Sequence, residues 1–285
     1  PVVFGTAPVH LASERAQSNK PILCYSYAEA VQQLGYSKDW AKYTLCEVMY
    51  SQFALYNRGP VVFVNVLDPK THKKSTSSKN VTVTNKVAKV DAPVLLDTLQ
   101  IKASAAGSAL IAGSDYEAAY DDDGVLVITL LDDGTATAAS NLTLTYDEID
   151  AAAVDADDII GGINVSDGSV KGLECLNKVF PITGLVPGIV LAPGWSETPT
   201  VAAVMKAKAG NINSHFKAIT LNDVPTDAVK KYTDVKAWMN QNSYNDTSQV
   251  VCWPMVKMGD DVYHMSTHVL GVMAQVDSAN DDIPY

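Results

Sequence analysis

The sequence predicts an α/β protein: a sheet covered by helices on both faces, with an inserted antiparallel β domain. Three observations carry that prediction. Outside residues 69–162, short and almost wholly apolar runs alternate with amphipathic stretches, the pattern of strands buried on both faces and of the helices that connect them. Inside 69–162 the texture changes to β-branched runs, several alternating with period two, separated by Asp-Gly turns. The charge shifts as well: from Asp91 to Asp167 there are 16 acids against one base, Lys102, while the remainder holds 20 bases and 16 acids. The division expected is a discontinuous core of residues 1–68 plus 163–285 and an acidic β domain of residues 69–162.

In chain order, Pro21 to Ser26 predicts a short strand. Ser26-Tyr27-Ala28-Glu29 has the capping-box pattern and starts a helix ending near Gly35. Leu45, Val48, Met49, Phe53 and Tyr56 recur at helical spacing, which predicts a helix over about 40–57. Arg58-Gly59-Pro60 stops it before the apolar strand Val61 to Val66. Thr71 to Ser78 reads as a polar linker into the insertion. There, Asn80 to Thr84, Leu99 to Lys102, Val125 to Leu130 and Leu142 to Tyr146 are predicted strands. Asp121-Asp122-Asp123-Gly124 and Asp132-Asp133-Gly134 supply turns between them. Asp157 to Gly162 is the expected exit. Beyond it, Leu173, Leu176, Val179 and Phe180 mark a helix, Gly188 to Ala192 a buried strand, and Pro199 after Thr198 a helix start continued by Val201, Val204 and Met205. Phe216 to Leu221 is a predicted strand. Thr226-Asp227 opens a predicted helix through Val229, Tyr232 and Met239. Val250 to Trp253 follows as a strand, and Ser266 is expected to cap a last helix bearing Val269, Val272, Met273 and Val276.

Composition excludes several function classes. The chain has 285 residues and is 47% apolar, enough for a real core, so global disorder is excluded. Its net charge is -11, and Arg15 and Arg58 are its two arginines, which argues against a nucleic-acid reader. No apolar run approaches the ~18 residues of a membrane span; the most apolar stretch, Gly184 to Trp195, is broken by Pro187 and Pro193. Pro1-Val2-Val3-Phe4 is no signal peptide and lacks an initiator Met, so a fragment is expected. Cys24, Cys46, Cys175 and Cys252 are widely spaced in apolar settings and read as buried free thiols made in a reducing cytosol.

Candidate chemistry is sparse. Gly194-Trp195-Ser196-Glu197-Thr198 resembles a nucleophile elbow, but Thr stands where G-x-S-x-G needs glycine, so Ser196 or Thr198 reads as a helix cap. His264 and His268 stand four apart, yet Met265 replaces the glutamate of H-E-x-x-H, so both read as surface or partly packed histidines. His10, His72 and His215 have no ligand cluster nearby in the sequence. The Asp121 to Gly124 run fails the calcium-loop test, because Ala119 and Leu130 fall at positions 1 and 12. No Walker A or G-x-G-x-x-G pattern occurs, and Gly161-Gly162 is not such a loop. Trp40, Trp195, Trp238 and Trp253 read as packing residues. No catalytic, cofactor-binding or metal residue is assigned, and no cofactor is expected. The alternatives are a serine hydrolase of α/β type using Ser196 with His215 or His268, and an adhesin or binding module using the β domain.

The order of segments resembles the contractile tail sheath proteins of bacteriophages and prophages. The resemblance rests on Pro21-Ile22-Leu23-Cys24 followed by Tyr27-Ala28-Glu29-Ala30 and Leu34-Gly35, and on Gly59 to Val66. It continues with Gly113-Ser114-Asp115-Tyr116, Asp158 to Gly162, Pro187 to Ser196 and Ala218 to Pro225. It implies a structural subunit, not an enzyme, that assembles in sixfold helical rings around a tail tube and contracts to drive the tube into the target cell, ejecting the genome. The partners implied are other sheath subunits, the tail tube protein, the baseplate and the tail terminator, with no nucleic acid or membrane. The location implied is the virion tail, after synthesis in the bacterial host cytoplasm. Family members usually carry an N-terminal arm and a C-terminal domain after the region of Ile283-Pro284-Tyr285, which exchange strands between subunits. Without them this chain is expected to be a soluble, monomeric core, its acidic insertion on the outer face of the sheath.

Overall fold

The structure, a computed structural model, describes residues 1–281; Ile283-Pro284-Tyr285 lies outside the described residues. Two compact units are present. One comprises Pro1–Ala7, Ala12–Asp68 and Val154–Tyr285, the other Pro8–Leu11 and Pro69–Ala153. Helices and sheets are mixed, as an α/β class requires.

The first unit is built on a six-stranded sheet in the order Gln249–Cys252, Ile219–Asp223, Ile189–Leu191, Val2–Gly5, Val61–Asn65, Ile22–Cys24. Five strands run parallel; the edge strand Ile22–Cys24 is antiparallel to Val61–Asn65. Register is set by Val2 opposite both Val62 and Val190, Leu191 opposite Leu221, and Asp223 opposite Cys252. Every residue of Val2–Gly5 and Val61–Asn65 is buried, so both faces of these strands are covered and they read as unbroken apolar runs. After Val2–Gly5 the chain adds Val61–Asn65 on one side, then places Ile189–Leu191 and its successors on the other. The winding therefore reverses between Val2–Gly5 and Ile189–Leu191.

Locally capped helices start where the sequence puts them. Ser26 Oγ accepts the Glu29 amide at 3.3 Å, Glu29 accepts the Tyr25 amide at 2.7 Å, and Gly35 at φ 71° ends the helix Tyr27–Leu34. Pro199 opens Pro199–Ala209. Other boundaries move. The helix expected over 40–57 begins only at Thr44, because Asp39 to Tyr43 close a turn, and it continues past Met49 as a π-helical stretch, Tyr50–Leu55. The strand expected at Phe216 is Ile219–Asp223, because Ile212 and Phe216 bond each other's backbones in a tight reversal. The helix expected at Thr226 is Tyr232–Gln241; the earlier stretch closes one turn, Val229 N–H to Pro225 O, and buries Val229. Ser266 is no cap: His264 holds that position for Met265–Ala279.

The second unit holds two three-stranded antiparallel sheets. One orders Lys73–Thr82, Asn141–Ile149 and Gln100–Lys102; the other orders Val87–Val90, Leu126–Leu130 and Tyr116–Tyr120. Val90, Ile101, Leu126, Ile128, Leu142 and Leu144 lie in its buried core. The predicted turn Asp121–Gly124 joins Tyr116–Tyr120 to Leu126–Leu130, with Asp121 accepting the Val125 amide at 2.9 Å and Gly124 at φ 75°. The expected linker Thr71 to Ser78 is mostly strand. Its side chains face solvent, so no apolar pattern marks it, and lysines plus a register shift between Thr76 and Lys79 blunt this sheet edge. Val154 to Gly162, expected in the insertion, belongs to the first unit, where Ile159 is fully buried. The acidic stretch is thereby shared: Pro69–Ala153 holds seven lysines against twelve acids, and Asp155, Asp157, Asp158 and Asp167 fall in the first unit.

Candidate functional site

In open α/β sheets, ligands bind beyond the carboxyl ends of the strands where the winding reverses. Here that position follows Gly5 and Leu191, and it is occupied by the chain's own side chains. Thr6 and Thr44 cap each other: the Thr6 amide donates to Thr44 Oγ1 at 3.3 Å and the Thr44 amide to Thr6 Oγ1 at 3.2 Å. Trp195 Nε1 donates to Thr44 Oγ1 at 3.2 Å. Gly5 makes this approach possible, since a Cβ there would stand 2.2 Å from Thr44 Oγ1.

Beside these residues lies a buried polar cluster. Glu47, 1% exposed, accepts the His264 amide and His264 Nδ1, both at 2.7 Å, and the Thr267 hydroxyl at 3.2 Å. Asp223, at the end of its strand, accepts the Ser266 amide at 3.0 Å and the Ser266 hydroxyl through its other oxygen. Two distant carboxylates thus cap the start of Met265–Ala279, where the helix dipole and unpaired amides favour negative charge. Glu197 Oε1 stands 4.0 Å from His264 Nε2. Burial pulls the His264 pKa down, but the Glu47 hydrogen bond and the charges of Glu47, Asp223 and Glu197 outweigh it and raise the pKa to about 9. Burial pushes the carboxyls of Glu197 and Asp223 upward, opposed by the charge of His264.

The candidate residues do not converge on a reaction centre. Ser196 is fully buried; its Oγ accepts the Asp223 amide at 3.0 Å and its carbonyl accepts the Tyr244 hydroxyl at 2.7 Å. Its hydroxyl is therefore neither exposed nor held by a histidine, which removes the geometric basis of the hydrolase alternative. Thr198 occupies the N-cap position without a side-chain cap bond. His215 packs beside Phe216, and His268 pairs Nδ1 with the Tyr56 hydroxyl at 2.8 Å. His264 is partly packed, as expected, but it is also an ion-pair partner of Glu47, which the sequence did not show, and His268, with its pKa lowered by burial, faces elsewhere. Among the described residues, no group of three His, Cys, Asp or Glu side chains is arranged to hold a metal. The four cysteines are buried and unbridged, and burial pushes each thiol up to about 12. Trp40 packs on Tyr263 and Trp238 on Tyr244, while Trp253 Nε1 donates to Val229 O at 2.8 Å. Two surface hollows, one beside Arg15, Lys20 and Leu23 and one beside Arg58 and Ala274, include none of the cluster residues. Glu47, Glu197 and Asp223 escape motif reasoning. Lone acids inside Leu45-Cys46-Glu47-Val48-Met49 and at the end of an apolar strand are the sequence signal that marks two of them.

No protein-family model matches the chain. Among curated proteins it is similar to the tail sheath protein of Burkholderia phage BcepMu, with 27% identity over 291 residues, covering 96% of this chain and 56% of that protein. The chain spans about half the length of that relative. The resemblance to phage tail sheath proteins is borne out, and the likeness is to a structural protein rather than an enzyme.

Proposed function

We propose that this chain is the α/β core of a subunit of a contractile, phage-like tail sheath. The observation that carries the reading is the similarity to a phage tail sheath protein along 96% of the chain. The closed polar cluster at the sheet's reversal point supports it, because Ser196, Asp223 and Glu47 are bonded internally rather than aimed at a substrate. Subunits assemble in sixfold helical rings around a tail tube, held in a heterologous lattice, and rearrange into a shorter, wider lattice that drives the tube into the target cell. Their partners are neighbouring sheath subunits, the tube protein, the baseplate and the tail terminator, and they reside in the virion tail. We read the helices as covering both faces of the six-stranded sheet and the antiparallel β unit as inserted into that domain. Electron microscopy of the complete gene product tests the assignment: striated tubes or sixfold rings are expected. A complete product that stays monomeric under all assembly conditions, or that turns over a substrate, overturns it.

A further inference from the structure

We propose that the buried cluster of Glu47, His264 and Asp223 is a proton-operated latch on the last helix: a charged imidazole clamps the first turn of Met265–Ala279, and loss of that proton frees the turn while the parallel sheet stays folded. The geometry concentrates the helix's attachment at one end. Within residues 264–267, two amides and two hydroxyls donate to Glu47 and Asp223. Gln52 Nε2 donates to Thr267 O at 2.9 Å, and Gly271 packs on the Tyr56 ring, where a Cβ would stand 2.2 Å from Cδ2. Further along, Val272 is 50% and Val276 41% exposed, while Met273 and Ala274 are only half-buried, so the firmest hold is on the first turns.

The charge balance makes the imidazole the controlling group. Glu47 faces it from the helix Thr44–Met49, Glu197 from the turn after Ile189–Leu191, and Asp223 from the end of Ile219–Asp223. On its own helix, His268 is turned toward Tyr56. The nearby hydroxyls of Tyr244 and Tyr263 are pushed up by burial and stay neutral. His264 is therefore the cation set against these three carboxyl groups. Once His264 is neutral, Glu47 and Asp223 are buried with only neutral donors, the arrangement in which buried charge is most costly. The buried thiols, pushed up to about 12, do not titrate in the folded protein below pH 10.

Amide hydrogen exchange of the intact chain at pH 7 and pH 10, each normalised to the exchange of an unstructured peptide, tests the latch. If opening returns the ring from about 9 to an ordinary 6.5, opening at residues 265–270 rises about 70-fold over that interval. The strand Val61–Asn65 exchanges only when the whole sheet opens, so it stays the more protected of the two at both pH values. In His264→Gln, the same amides are expected to be open already at pH 7 and to be insensitive to pH. The wild-type pH series stands without the variant should that protein fail to fold. Equal normalised protection at the two pH values, or sheet and helix opening together, overturns the proposal.

Discussion

Gly172→Ala probes the tightest backbone crossing in the first unit. Gly172 sits at φ +55°, and a Cβ there would meet Ile159 O at 2.3 Å, Asp158 O at 2.6 Å and Gly161 N at 2.7 Å. Gly161 meets the same crossing from the other side, with its added Cβ 2.0 Å from Lys171 O. All these atoms are backbone, so no side chain can rotate away. The left-handed conformation costs an L-residue about 1–2 kcal/mol, and forcing a methyl against packed backbone adds about 1–3 kcal/mol. The expected loss is about 2–5 kcal/mol, a large part of a typical domain stability of about 5–15 kcal/mol. Two neighbours separate the causes. Gly168, at φ +70° with nothing within 4 Å of an added Cβ, bears only the conformational cost, and Gly162, with open space and no positive φ, bears neither. All four tryptophans lie in the first unit, so their emission during urea unfolding reports that unit alone. The expected order of loss is Gly172→Ala, then Gly168→Ala, then Gly162→Ala. A Gly172→Ala protein no less stable than Gly168→Ala refutes the crossing as a steric constraint.

Three other outcomes follow from the same contacts. Ser196→Ala removes the acceptor of the buried Asp223 amide and should cost about 1–3 kcal/mol by tryptophan-monitored urea unfolding, with no esterase activity in either protein; a wild-type activity lost in the variant would revive the hydrolase. The stability that His264 contributes is complete below its unfolded pKa of about 6.5 and is lost as pH rises through about 9, so the first unit should lose about 3 kcal/mol over that window. Glu47→Gln should flatten that slope, and equal slopes would sink the account; thiols ionising in the unfolded chain contribute alike to both proteins. In the second unit, Asp115 accepts the Ile111 amide and the amide and hydroxyl of Thr135, all at 2.8 Å, and these bonds hold its pKa below the ordinary value. That contribution is present above the unfolded pKa of about 3.9 and is lost as pH falls through the folded one. Asp115→Ala should therefore lower that unit's melting temperature at pH 7 and have a smaller effect at low pH, as followed by circular dichroism.

What the sequence reveals depends on whether the cause of a feature is local. Val61 to Val66 is legible because burial on both faces leaves no polar alternation, and Ser26 and Pro199 are legible because each acts within one turn of itself. The starts of Thr44–Met49 and Met265–Ala279 are misplaced because their caps come from Thr6, Glu47 and Asp223, far away in sequence. Ser266 looks like a cap by residue type, yet its hydroxyl donates to Asp223 from inside the helix. Lys73–Thr82 is hidden for the opposite reason: an edge strand facing solvent carries no apolar period. Tyr116–Tyr120 contains Ala118 and Ala119, weak strand formers that pairing with Leu126–Leu130 overrides. The polar cluster is the least legible element, because no spacing rule joins Glu47 to His264 or Asp223 to Ser266.

The same cluster is bonded as an internal brace rather than poised as a reaction centre. Catalysis needs donors and acceptors held ready for a charge that develops only in the transition state. At this reversal point both oxygens of Glu47 and both of Asp223 already receive hydrogen bonds, Ser196 Oγ is an acceptor, and Thr6 and Thr44 satisfy each other. A polar network satisfied this fully fixes one arrangement of the elements it joins, and removing any partner leaves a buried group unpaired. It joins the helix Thr44–Met49, the turn after Ile189–Leu191, the end of Ile219–Asp223 and the last helix. Under the proposed sheath role, load passed to neighbouring subunits would require these elements to move as one body, and a crevice filled with mutually bonded side chains suits that better than an open, ligand-accepting one.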